Sequence, residues 1–171
     1  MHCIDVATSH PLTVVWAYRR TGKFAFHVLT GALETDPRVR GVPIEFANGV
    51  DAVVAAVAAA LAQGHRVLVG WSFYSPDFAQ MTDELRLVRA AVADARVLHV
   101  AGGVHASAEP LQTLRAGFDL VATGEGEQTI RELVHALVVG HEPRTVLSMA
   151  WLEDGQLRRS ARAERLMLDD L

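Results

Sequence analysis

Short apolar runs, each closed by a small or glycine-rich loop and followed by a stretch with helical spacing, set the pattern of this chain. Residues 12–18, LTVVWAY, are β-branched and aromatic, the composition of a strand buried on both faces. After the loop Arg19-Arg20-Thr21-Gly22, residues 23–34 place Phe24, His27, Val28 and Gly31 near one face, with Phe26, Leu29 and Leu33 beside them. That spacing predicts a helix apolar on nearly all sides, ended by Asp36-Pro37. Residues 42–47, VPIEFA, predict a second strand. Its Pro43 cannot donate to a ladder, so the strand belongs at a sheet edge.

Asn48-Gly49 then turns the chain into a helix over 51–63, with Val53, Val57 and Leu61 in register and Gly64 as its left-handed cap. Residues 66–71 form the third predicted strand. Ser75-Pro76 is a helix start, the serine suited to cap free amides and the proline to the first turn. Phe78, Met81, Leu85, Val88 and Val92 follow at spacings of three and four. Residues 96–101 predict the fourth strand, and Ser107-Ala108-Glu109-Pro110 opens a helix with Leu111 and Leu114 inward and Gly117 as its stop. Residues 118–123 predict the fifth strand, and a helix from about 127 buries Ile130, Leu133, Val134, Leu137 and Val138 before Gly140.

Strands joined by such short helical links predict an α/β domain, a doubly wound five-stranded parallel sheet of flavodoxin-like or Rossmann-like type in the order 2-1-3-4-5. The pattern changes after residue 140. Residues 145–152 and 156–160 flank Glu153-Asp154-Gly155 and predict a C-terminal β-hairpin turning at Asp-Gly. The organisation expected is therefore a leader over 1–11, an α/β domain over 12–140, a hairpin extension over 141–162 and a linker over 163–171.

Composition narrows the function classes. The 171 residues suit one core, and half of them are hydrophobic. The 16 basic and 20 acidic residues give a net charge of −4 with no basic block, so no nucleic-acid partner is expected. Cys3 is the single cysteine, which excludes an internal disulfide and fits a cytoplasmic, reducing setting. The alanine-rich stretch over 50–63 is too short to span a bilayer, and no signal peptide is expected at the start, so no membrane partner is expected either.

Candidate chemistry sits in three loops after strands three, four and five. Gly102-Gly103 lets the backbone turn sharply and lets a bulky ligand approach without meeting a Cβ, although a tight turn alone would use the same residues. Gly124-Glu125-Gly126-Glu127 opens a helix, where free amides favour an anion; acidic residues there equally complement the helix dipole. The loop lacks a third glycine, so it is not a dinucleotide fingerprint, and no Gly-Lys-Ser/Thr phosphate loop is present. His105 can serve as a ligand or proton donor or as a hydrogen-bonded loop residue. Ser72 and Ser75 can reach a ligand, with helix capping the competing role for Ser75.

Together, Ser72-Phe-Tyr-Ser-Pro-Asp77, Gly102-Gly-Val-His-Ala-Ser107 and Gly124-Glu-Gly-Glu127 resemble, in order and spacing, the cobalamin-binding domain of cobalamin-dependent radical SAM proteins. The similarity covers about 12–160, and Leu168-Asp-Asp-Leu171 resembles the linker that precedes the radical SAM barrel in that family. The resemblance implies a corrin ring over the carboxyl edge of the sheet and a nucleotide tail running beside the central strands. It assigns corrinoid contact to Ser72, Tyr74, Ser75, Gly102, Gly103, His105, Thr123, Gly124, Glu125 and Gly126, and assigns no catalytic or metal-ligating residue.

Two departures from the family pattern matter. No DxHxxG motif follows the first strand, so that loop offers cobalt no lower histidine. No CxxxCxxC is present, so S-adenosylmethionine and the [4Fe-4S] cluster belong to a radical SAM domain or protein other than this chain. The readings from other classes are a non-catalytic interaction or oligomerisation module on the same fold, and a small-nucleotide binder using the Gly124 loop.

Overall fold

A computed structural model describes residues 11–19 and 23–162. The leader expected over 1–11, apart from Pro11, and the linker expected over 163–171 lie outside the described residues, as do Arg20, Thr21 and Gly22.

Strands β1 (Leu12–Tyr18), β2 (Ile44–Asn48), β3 (Arg66–Ser72), β4 (Val97–Gly102) and β5 (Leu120–Ala122) run parallel in the order 2-1-3-4-5. β2 takes the expected edge position, but it begins at Ile44 rather than Val42, so Pro43 stands just before the strand, its carbonyl accepting from Val14 N–H at 2.9 Å. The count of five corrects to seven. The hairpin strands β6 (Met149–Glu153) and β7 (Gln156–Arg159) add antiparallel to β5 and extend the same sheet. The short β5 has a free edge, and β6 satisfies it: Val121 pairs with Ala150 and Ala122 with Met149. The hairpin turns at Asp154 and Gly155, both with positive φ, 51° and 73°.

Helices α1 (Lys23–Thr35) and α6 (Gly126–Val138) cover one face of the sheet; α2 (Val50–Ala62), α3 (Phe78–Ala91), α4 (Val104–Ala108) and α5 (Pro110–Arg115) cover the other. Strand alternation divides the core accordingly. Val15, Val67, Val69 and Trp71 pack with Val53, Val57, Leu85 and Val88, while Val14, Trp16, Leu68 and Val100 pack with Phe26, Leu33, Leu133 and Leu137. The all-apolar look of α1 resolves into a stripe at Phe26 and Leu33, which are buried, and an outer side carrying Phe24, 81% exposed, and Val28.

Between β1 and β3 the connections leave to opposite faces, the topological switch point at which such sheets bind ligands. Among the described residues no helix is long and apolar enough to cross a membrane.

Candidate functional site

On the α1/α6 face, a cavity of about 280 Å³ opens at the carboxyl ends of the central strands. Its sheet wall combines residues with little or no side chain, Gly70 on β3, Gly102 on β4 and Ala122 on β5, with the larger Trp16, Leu68 and Val100. Large residues at Gly102 and Ala122 would carry the sheet towards the helices and narrow the gap. The helical walls are apolar, with Phe26 and Leu29 from α1 and Ile130 and Leu133 from α6. Ser72, Gly103 and Gly124 stand at the mouth, with Glu127 and Thr129 adding polar groups from the first turn of α6.

Depth in the cavity follows the strand register. Ser72 pairs with Gly102 at the rim, and Trp16 pairs with Gly70 two residues, roughly 7 Å, further down. The Trp16 indole lies across Gly70. A Cβ built on Gly70 would stand 2.3 Å from Cζ3 and 2.5 Å from Cε3 of that ring, so the indole occupies the space a side chain would take. Its Nε1 donates to Thr30 Oγ1 at 2.9 Å, and its ring stacks on Phe26 at 5.1 Å.

Gly103 needs its residue type for two reasons. Its φ of +91° is outside the range L side chains adopt, and a Cβ there would stand 2.9 Å from Ser72 Oγ. The missing side chain lets the loop after β4 lie directly against the end of β3. Gly126 at the start of α6 similarly meets the tip of Leu29, at 2.9 Å from a built Cβ.

Of the residues singled out in the sequence, Ser72, Gly102, Gly103, Gly124 and Gly126 are brought together around this cavity. The others are placed elsewhere. Ser75 does not cap a helix: it begins a short 3-10 turn over Ser75–Asp77, and its hydroxyl shares a hydrogen bond with His105 Nδ1 at 3.0 Å. His105 is 5% exposed and packs on Phe78, with ring centroids 4.4 Å apart, and on Phe73. Its Nε2 is buried without a hydrogen-bond partner. Tyr74 is exposed on the rim of the same loop.

Thr123 is a structural anchor, its amide and hydroxyl both donating to Ser148 O at 2.8 and 3.0 Å across the β5–β6 junction. Glu125 precedes α6 and its carbonyl accepts from Thr129 Oγ1 at 3.2 Å, while Glu127 is the acid that reaches the cavity. Reading by residue type missed Trp16, Gly70 and Ala122. The available signal was Gly70 itself, a glycine inside a strand, which marks a close approach by something else.

A second buried histidine lies on the opposite face of the sheet. His99 accepts from Trp71 Nε1 at 3.2 Å, and burial, with Arg89 nearby, pushes its pKa down to about 3. It is a neutral acceptor in the core and does not itself line the cavity. Among the described residues no cluster of His, Cys, Asp or Glu could hold a metal ion.

Comparison with known proteins places this architecture. Over 90% of its length the chain superposes with a TM-score of 0.69 on the radical S-adenosylmethionine methyltransferase TsrM from Kitasatospora setae, at 19% identity. Over 91% it superposes with a TM-score of 0.65 on the cobalamin-dependent S-adenosylmethionine radical enzyme OxsB, at 17% identity. The shared fold accounts for 30% and 23% of those longer chains. An uncharacterized methyltransferase of Pyrococcus horikoshii is 41% identical over 64 residues, which is 36% of this chain and 14% of that protein. The profile of the B12 binding domain matches residues 25–134, from α1 through most of α6 and so across the helices and loops that enclose the cavity. The chain belongs to the B12 binding domain family.

Proposed function

We propose that this chain binds cobalamin, with the nucleotide tail in the cavity on the α1/α6 face and the corrin ring over the carboxyl edge of the sheet. The observation that carries the reading is the small-residue wall of Gly102 and Ala122, continued at the rim by Gly103, beside a mostly apolar cavity inside the matched family domain. A volume of about 280 Å³ is near the lower end of small-molecule sites, about 300–1,000 Å³, which suits one arm of a large ligand rather than the whole of it. The residues present fit the group in a second respect, because Ser72 and Glu127 add polar groups to a lining that is otherwise mostly apolar.

Bound cobalamin would supply a cobalt centre able to carry a methyl group. The chain's own residues would hold the tail between sheet and helices, exclude water from it, and present the rim loops to the ring. Because the chain spans less than a third of the solved relatives, the whole protein's reaction is part of the proposal: a radical SAM domain or separate radical SAM protein would act beside this domain. That partner would bring the cluster and S-adenosylmethionine, since the single Cys3 cannot supply three thiolates. A cytoplasmic setting, read from the lone cysteine, belongs to the same proposal. An interaction module or a nucleotide binder has no comparable support in the family match.

Gel filtration of the protein mixed with hydroxocobalamin, followed by a visible spectrum of the protein peak, tests this directly. Corrinoid co-eluting in a ratio near one per chain supports the reading. A colourless protein peak at micromolar concentrations of both components would defeat it.

A further inference from the structure

Trp16, paired with Gly70, lies outside the matched family profile, which begins at Ala25 and leaves β1 out. Trp16 is 1% exposed, yet it lines the cavity at its inner level. Three contacts hold the indole in one orientation: the bond to Thr30, the stack on Phe26, and the bare backbone of Gly70 beneath it. A side chain held on three sides is a fixed wall rather than an adjustable one.

The indole is set across the strands at the inner level of the cavity, beside Leu68 and Leu133. On the same face of β3, Leu68 is the next inward residue below Gly70, is 0% exposed and shares the inner end of the cavity with the indole. The distance available to a ligand arm therefore depends on whether residue 16 projects over β3 or leaves that space open.

We propose that Trp16, seated on Gly70, sets the depth of the cavity and makes this domain selective for corrinoids by the size of the base that ends their nucleotide tail. The inference rests on the cobalamin reading and deepens it. On this proposal a bicyclic benzimidazole would be accommodated beside the indole, and a base lengthened by one more fused ring would meet it. Discrimination by one added apolar group in a fitted pocket is commonly about tenfold to two-hundredfold.

The test uses the full chain and three probes: cobalamin, a corrinoid whose tail base carries an additional fused ring, and cobinamide, which has no nucleotide tail. Dissociation constants come from visible-spectrum titration. For the unaltered protein the enlarged base is expected to bind at least about tenfold more weakly than cobalamin. Trp16→Leu is expected to bring that ratio to within about threefold, while cobinamide binding stays the same.

Gly70→Ala supplies the reciprocal variant. Its new Cβ would displace the indole from β3, and where the ring moves into the cavity cobalamin is expected to weaken relative to cobinamide. Far-ultraviolet circular dichroism establishes that each variant is folded, and Trp16→Phe, which keeps an aromatic ring, is measured alongside with an intermediate ratio expected.

The outcomes separate the two readings. If the unaltered protein binds no corrinoid, the cobalamin reading falls and this inference with it. If cobalamin binds but folded Trp16→Leu and Trp16→Phe keep the original size ratio, depth selection by Trp16 is overturned and the cobalamin reading stands. An equal loss of cobinamide and cobalamin in Trp16→Leu would likewise overturn it, because a general packing role predicts no dependence on the tail.

Discussion

Ser75 and His105 share a hydrogen bond of 3.0 Å that ties the turn after β3 to the helix after Gly103. The bond lies beside the stack of Phe73, Phe78 and His105, so it joins two loops at a point where both are also packed. Ser75 is exposed and His105 is buried, which makes the pair a one-sided seal at the carboxyl edge.

Removing the hydroxyl should therefore cost stability. Ser75→Ala leaves His105 Nδ1 without its partner, and a loss of about 1 kcal/mol is expected, at the low end for a buried unsatisfied group because water reaches the site from the Ser75 side. His105→Phe removes both ring nitrogens, including the unpartnered Nε2, and is expected to be close to neutral. Urea unfolding of the two variants checks the order. Greater damage from His105→Phe than from Ser75→Ala would show that the ring is held by shape rather than by its hydrogen bond.

Gly103 and His105 are two residues apart in the chain but differ in what they touch. Gly103 lines the cavity, whereas His105 is turned into the aromatic stack on the other side of the loop. Gly103→Val is expected to weaken hydroxocobalamin binding by about tenfold or more, roughly 1.4 kcal/mol, through bulk against Ser72 and strain at a φ of +91°. His105→Ala is expected to stay within about threefold of the unaltered protein. Titration of both, with circular dichroism to confirm folding, decides whether the rim has been placed correctly; equal affinities for Gly103→Val and the unaltered chain would count against it.

The buried neutral His99 gives stability a defined pH dependence. Its folded pKa of about 3 is below the ordinary value of 6.5, so between those values the unfolded chain binds a proton that the folded chain does not. Stability is then complete above about pH 6.5 and falls as pH drops towards 3, by an amount on the order of a few kcal/mol. Asp36 and Asp94, lowered to about 2 by their hydrogen bonds with Arg38 and Arg96, lose their contributions only below about pH 4. Urea unfolding between pH 7.5 and 4.5 should show the loss, and His99→Asn, which cannot titrate, should flatten it. An unchanged slope in that variant would assign the effect to other groups.

The hairpin turn offers a test of the sheet extension that is independent of the cavity. Gly155 has a φ of 73°, and Gly155→Val should cost roughly 1–2 kcal/mol and lower the melting temperature by a few degrees. Since β6 runs antiparallel to β5, this turn lies at the edge of the sheet opposite the cavity mouth, and corrinoid affinity should not change. Calorimetry and a hydroxocobalamin titration read the two effects separately.

Much of this architecture is written locally. Pro43 points to an edge position for β2, and the strand is at the edge, although it starts one residue after the proline. The spacing of Met81, Leu85 and Val88, or of Ile130, Leu133 and Leu137, determines both a helix and its buried side, since the 3.6-residue period fixes which side chains share a face. The glycines of the loops after β4 and β5 likewise mark places where backbone must turn or approach closely, and five of the residues noted there and after β3 do gather around one cavity.

What the tertiary structure decided are the choices among partners distant in the chain. Asp154-Gly155 specifies a hairpin, but only the open edge of β5 makes it a continuation of the parallel sheet. Ser75 has the residue type of a helix cap, yet His105, brought in by the adjacent strand, takes its hydroxyl. Phe24 and Phe26 are equally apolar, and only the placement of α1 over β1 buries the second and exposes the first. Gly70 is the sharpest case: inside its strand it looks like a missing side chain, and its purpose becomes visible when parallel pairing lays Trp16 across it. Periodicity determines which way a side chain faces, whereas the contact it makes depends on which strands lie side by side, and that is settled by backbone pairing between segments far apart in the chain.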